Sequence, residues 1–512
     1  MRLIADQLIL TFTLRYSLGL MDSTRRDSIC LYSCKTWQSM DYRLKNDTLR
    51  PWIIRNMSPV IFLAAFFLTV VLGNLLFATP FGRAQLQKIP SYAIIYNFPT
   101  IFTPLYWLLL FLPFLMTPIM VILVRRYLEK PVHRLCARVP EIRRIDYLVI
   151  AGLALGHVGY HLWKANAFSL YGTGTDAVSS VEIRFQILSG LRFWTMAVLM
   201  SILPFLAVYA QIRWIRSSAL FWKVTTVVVA SLVALYMVLL NMKWPFLVFA
   251  AALILTVFAH SQRRPYIKAG IGTVALFATY LVISSHVFRY ADSSSNAPPP
   301  ELAAPSVIAP EASAPGTPPH TLPEVRPNKG VLSEALDTPK LAFTRAPETL
   351  FSGLTRMAIL YPFYYQVFTE EGYVCGGILA QARVGPACRP STYIYTRVFG
   401  RDGFEGRGTA PAAVHISGYS LGGWPIALFA MVCASIVMAL ITCLPITASA
   451  TVGAFGIMGA VAGYHFSQVP GEGPIFYDHG LIWTLIPVVI YSILRWMFRD
   501  KRSEKRDLPE SM

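Results

Sequence analysis

The stretch GTAPAAVHISGYSLGGWPIALFAMV, residues 408–432, runs from small and polar residues into a strongly apolar segment. His415 within it can take up and release a proton near neutral pH, and Tyr419 follows four residues later. Glu182 and Asp402 are the other candidate bases. Upstream, RMAILYPFYYQVF brings an aromatic group that contains Tyr361, Tyr364 and Tyr365. Positive charge comes from Arg184 and Arg192, from Lys243 in NMKWP, and from Arg356 and Arg407. The planar guanidinium fork matches phosphate oxygens two at a time. A base for an attacking hydroxyl, with cations for a phosphorylated leaving group, is the equipment of a group-transfer reaction. Each residue also has a structural reading. His415 can be an interfacial histidine bonded to backbone, the arginines can snorkel to lipid phosphates, and Glu182 can neutralise Arg184.

These residues hang on a membrane scaffold. The 512-residue chain is 55% hydrophobic and only 14% charged, with a mean hydropathy of +0.50. Soluble domains carry about a quarter charged residues. About ten apolar runs approach the length that crosses the hydrocarbon layer: 60–79, 102–124, 147–162, 193–210, 224–240, 245–259, 271–287, 425–444, 451–465 and 481–498. Backbone polar groups must be satisfied within lipid, so these runs are expected to be helices, giving an all-α polytopic membrane protein. The formal net charge of +18 is distributed by topology. RRYLEKPVHRLCARVPEIRR, the group Arg213, Arg216 and Lys223, QRRPYIK and RWMFRDKRSEKR fall in every second connection. That is the positive-inside pattern. It puts both termini in the cytoplasm and leaves no basic surface to assign to nucleic acid.

The expected organisation follows. Residues 1–56 form a disordered cytoplasmic tail, 57–288 carry spans one to seven, and 289–347 are a Pro/Ala-rich extracytoplasmic linker that cannot build a core. Residues 348–423 form an ordered periplasmic loop before span eight, 424–498 carry spans eight to ten, and 499–512 are a cytoplasmic tail. Cys375 and Cys388 are the two cysteines on the outward side, where an oxidising compartment permits a disulfide between them; two free thiols are the alternative. No histidine or acidic spacing fits a metal, and the first outward loop, PFGRAQLQKIPSY, has no carboxylate. SGYSLGG satisfies the G-x-S-x-G pattern of serine hydrolases but lacks the strand and sheet that make it work.

The pairing of RMAILYPFYYQVF with GTAPAAVHISGYSLGGWPIALFAMV, and the turn NMKWPFLVF, resembles the Wzy-type oligosaccharide repeat-unit polymerases, or O-antigen polymerases. The likeness spans roughly residues 182–440, with short specific patches inside it. It implies an enzyme of the inner membrane without a cofactor. Such an enzyme transfers a growing glycan from undecaprenyl diphosphate to a lipid-linked repeat unit on the periplasmic face, with a chain-length regulator as a possible partner. On that reading Arg184, Arg192, Lys243, Arg356 and Arg407 hold diphosphate without metal. His415, Glu182 or Asp402 serves as base, and Tyr361, Tyr364, Tyr365 and Tyr419 meet the sugars. An O-antigen ligase delivering glycan to lipid A core, or a polysaccharide or lipid transporter, would share much of this pattern.

Overall fold

A computed structural model describes residues 49–87, 98–171, 177–240, 242–286, 355, 357–377, 389–399, 409–468 and 480–503. The chain divides into two compact units at Arg55 and Asn56. Of the first unit the described part is one short helix, Leu49–Arg55.

The second unit is helical, and no strand occurs among its described residues. Its long helices are α1 (Met57–Ala78), α2 (Pro104–Cys136), α3 (Arg144–Lys164), α4 (Phe193–Ser217) and α5 (Leu220–Leu239). They continue as α6 (Lys243–His260), α7 (Pro265–His286), the shorter α8 (Leu360–Glu370), α9 (Val414–Thr442), α10 (Ala450–Ala462) and α11 (Ile482–Ser503). Six of these, α1 to α5 and α9, are long and apolar enough to cross a membrane, and shorter apolar helices cover Trp244–His260 and Ile482–Met497. The chain is therefore a multi-pass membrane protein in its architecture. Each of the ten apolar runs falls on a helix. Their outward faces carry Ile122, Leu153 and Val274, large apolar side chains about two-thirds exposed or more. In water such surface would be a liability; in lipid it is solvated.

Helix ends follow local chemistry. Thr103 caps α2 by accepting from the Tyr106 amide, with Pro104 in the first helical position, where its missing N–H costs nothing. Ser449 caps α10 by accepting from Val452 N at 3.1 Å. Three prolines lie inside α2, which neighbouring helices can accommodate in a membrane bundle.

The centre of the bundle is α10, buried along nearly its whole length. Small residues make this possible. A Cβ on Gly456 or Gly459 would come within 3 Å of Ile446 or Ile441, and one on Gly463 would lie 2.6 Å from the Ser58 carbonyl oxygen. Apolar side chains gain nothing by leaving lipid for protein, so close backbone approach and its dispersion contacts hold such helices together.

The 137–143 connector between α2 and α3 is tied down by polar contacts. Glu141 pairs with Arg213 of α4 and accepts from Ala450 N at 3.2 Å, while Arg495 of α11 donates to the Glu141 carbonyl. Tyr209 and Thr451 donate to the Ile142 and Pro140 carbonyls at 2.9 Å each. Arg216 donates to the Thr447 carbonyl at 2.8 Å, and Arg125 joins Thr442 and Asn56 at 2.9 and 3.0 Å. Arginines that the sequence pattern reads only as topological charge thus also stitch connectors to helix ends.

Candidate functional site

The residues around His415 come together because α9 is not one helix. Gly422 is extended (φ −178°), and Gly423 adopts φ +68°, ψ −152°, a region natural to glycine and strained for other residues. Pro425, which has no amide hydrogen, follows. A Cβ on Gly418 would fall 2.8 Å from the Ile426 carbonyl oxygen and 3.1 Å from Ala427 Cα. In an unbroken helix residues 418 and 427 would be about 13 Å apart. Residues 414–421 therefore fold back along the first turns of the helix at 424–442. The break is packed rather than open. The Tyr373 hydroxyl would sit 3.2 Å from a Cβ on Gly423, and the Leu421 carbonyl oxygen 2.9 Å from one on Gly377.

The folded-back segment delivers His415 into the interior, where it is fully buried. Its ring meets Phe66 of α1 edge-on, with centroids 5.3 Å apart. Its Nε2 lies 3.0 Å from the Tyr361 hydroxyl of α8. The Leu109 carbonyl of α2 faces the ring, but Nδ1 makes no hydrogen bond of normal geometry. Around this pair the tyrosines interlock. Tyr361 and Tyr365 both pack edge-on against Tyr106 of α2, at 5.8 and 5.2 Å. Tyr365 stacks on Tyr419 at 5.5 Å, and the Tyr419 hydroxyl lies 3.0 Å from Thr369 Oγ1. Tyr364 donates to the Ala410 carbonyl at 2.8 Å. Burial holds the Tyr361 and Tyr364 phenols well above their ordinary range, so both stay neutral donors.

Asn74 anchors the cluster from below. Its Nδ2 donates to the carbonyls of Val70 at 2.8 Å and Ala358 at 3.2 Å, and the Tyr106 hydroxyl donates to its Oδ1. Val70 belongs to a π turn, Phe67–Val71, a distortion common near functional sites. Sequence reading missed Asn74 and Tyr106, although an amide inside LTVVLGNLLF was the available signal, because polar groups in spans are costly unless used. Replacing Asn74 by alanine should lower stability by about 1–3 kcal/mol, since three buried groups each lose one hydrogen bond. A fall in the melting temperature of the purified chain is the expected result.

Compared with protein families, curated proteins and solved structures, the chain matches none. The site is therefore read from its own geometry.

That geometry joins Tyr361, Tyr364, Tyr365 and Tyr419 in one buried cluster, with His415 against its Tyr361 and Phe66 rings. All four tyrosines are less than a tenth exposed. In this arrangement they are packed against one another and present no open platform to a sugar. Glu182 and Arg184 lie on a separate helix, Ala177–Ser189, none of whose described side chains belongs to the cluster. Glu182 is exposed, and the Arg184 guanidinium covers the neighbouring Phe185 ring at 5.1 Å. Arg192 is exposed at the head of α4. Lys243 opens α6, with its side chain outside the described set, as is that of Cys375. Arg356, Asp402, Arg407 and Cys388 lie outside the described residues, and so does the proposed disulfide. Arg397, another cation of the same loop, forms an ion pair with Glu371, to which Tyr393 also donates at 3.1 Å. That pair is surface-exposed and contributes at most about 1 kcal/mol. It accounts for Arg397 without a ligand.

Proposed function

We propose that the chain is a glycosyltransferase of the cytoplasmic membrane that polymerises oligosaccharide repeat units carried on undecaprenyl diphosphate, acting on the outer face without a metal. The observation that supports it most is the His415–Tyr361 pair, 3.0 Å apart, carried on a segment that folds back beside a membrane helix. A glycosyl transfer needs a base for the acceptor hydroxyl where the lipid carrier can present its diphosphate. His415 at a membrane helix entrance meets the first need, and the cations Arg184, Arg192, Lys243, Arg356 and Arg407 meet the second. Enclosure of His415 means that substrate gains access by movement of the 414–421 segment, with Gly422 and Gly423 as its hinge. On this reading ten helices span the membrane, both termini are cytoplasmic and the 289–423 loop is periplasmic.

The test is purified chain with a synthetic diphosphate-linked repeat unit, assayed with and without chelator. A ladder of lengthening glycan that persists in chelator is expected, and Arg184→Ala combined with Arg356→Ala should abolish it. A normal ladder in that double variant would remove the arginines from the site. Glycan delivered only to a lipid A core acceptor would make the protein a ligase. Reporter fusions at Arg184 and Arg356 should report the periplasm; a cytosolic signal overturns the topology and the site with it.

A further inference from the structure

Outside the tyrosine cluster, the end of α3 and the head of α4 bring together cations that are scattered in sequence. His157 and His161, one turn apart in GHVGYHLWK, meet edge to face with ring centroids 4.6 Å apart. His157 Nε2 lies 3.3 Å from Thr195 Oγ1 of α4, which fixes that end of α3 against α4. Among the described residues, the charged or chargeable groups that act on His161 are His157, Arg192 and Lys164. Histidines at this spacing on a helix can chelate a transition metal, but two permanently charged neighbours repel any cation. The same neighbours attract an anion.

A structural account covers only part of this group. His161 and Lys164 stand in the last turn of α3, where cations complement the helix dipole. Arg192 does the opposite, since it precedes the first turn of α4, the end of a helix that disfavours positive charge. Aromatic residues fix the depth of the group. Phe193, Trp194 and Trp483 pack mutually at 5.1–5.7 Å, while Trp163 and Trp194 remain more than 60% exposed. Exposed tryptophans at helix ends mark the headgroup level of a bilayer. A cationic group at that level faces lipid phosphates.

We propose that His157, His161, Lys164 and Arg192 form a subsite for the diphosphate of a membrane lipid. The two fixed charges of Lys164 and Arg192 exceed the single negative charge of a phosphodiester headgroup and match the larger charge of a diphosphate, with the two imidazole rings beside them as hydrogen-bonding groups. Each imidazole can add a ring N–H to the donors of Lys164 and Arg192. Identification of that lipid as the glycan carrier rests on the transferase reading above; recognition of the diphosphate does not.

The full chain in neutral phosphatidylcholine nanodiscs can be titrated with farnesyl diphosphate, following tryptophan fluorescence near Trp163, Trp194 and Trp483. Saturable binding is expected, weakened at least 10-fold by Arg192→Gln and by His157→Gln with His161→Gln, and unchanged by Arg134→Gln. Arg192 and His157 are exposed, so a folded Arg192→Gln chain provides the test even where the double variant is unstable. Unchanged affinity in Arg192→Gln overturns the subsite. Competition by phosphatidylglycerol at the same concentration as farnesyl diphosphate also overturns it, reducing the group to an ordinary headgroup contact. Competition by inorganic pyrophosphate supports it. A chain that binds farnesyl diphosphate through these residues yet never builds a ladder keeps the subsite and loses the transferase reading. A ladder with no change in these variants does the reverse.

Discussion

Gly418→Val will separate the folded-back segment from the helix it lies against and will abolish whatever activity depends on His415. The new Cβ would start 2.8 Å from the Ile426 carbonyl oxygen and 3.1 Å from Ala427 Cα, with the Ala430 methyl at 3.0 Å. Two of these three are backbone atoms, which cannot swing aside as a side-chain end can. Overpacking of this kind usually costs about 1–3 kcal/mol, and the backbone contacts here put the expected cost at or above the upper end. The result should be a clear loss in melting temperature together with loss of the proposed polymerase activity. Gly270→Ala is the matched control. That position on α7 has open space where the Cβ would go, so alanine should be neutral or should stabilise by up to about 1 kcal/mol through helix propensity. A Gly418→Val chain as stable and active as Gly270→Ala would mean that 414–421 does not pack where it is described.

His415→Gln should leave the chain folded and reduce polymer formation by 10²-fold or more, the lower range of what a positioned general base contributes. Glutamine is polar, reaches a similar distance and can still accept from the Tyr361 hydroxyl, so stability should change modestly. His415→Ala is a harsher change. It empties a site lined by Phe66 and Tyr361 and strands the Tyr361 hydroxyl, at a cost of about 3 kcal/mol or more. Tyr361→Phe completes the set, because it keeps the ring and removes only the partner of Nε2. Melting temperature separates the two roles. If activity falls only as far as stability does across these three variants, His415 is a packing residue. Full activity in His415→Gln would end its candidacy as base.

Hydropathy located the long apolar helices, six of them long and apolar enough to cross a membrane, but not Ala177–Ser189 or α8. While 414–421, expected as the end of a loop, is helical and folds back, a break that the sequence reading missed although Gly422, Gly423 and Pro425 mark it, the ten apolar runs fall on helices. Lipid is the reason: a solvent without hydrogen bonds leaves helix as the solution for each run, so local composition decides the element. The aromatic and histidine candidates were legible by type, and their convergence was not. His415 and Tyr361 are 54 positions apart, and Asn74 joins a carbonyl 284 positions away. Burial reversed the expected role of the tyrosines from exposed surface to interlocked core, which depends on α8 lying between α2 and the folded-back segment. The arginines divided in the same way. Arg397 found Glu371 and Arg213 found Glu141, while Arg192 stands with Lys164 among the cations that act on His161. Residue type sets the charge a side chain carries; which charge stands opposite is a matter of chain packing over long sequence separations, and only the tertiary structure decided it.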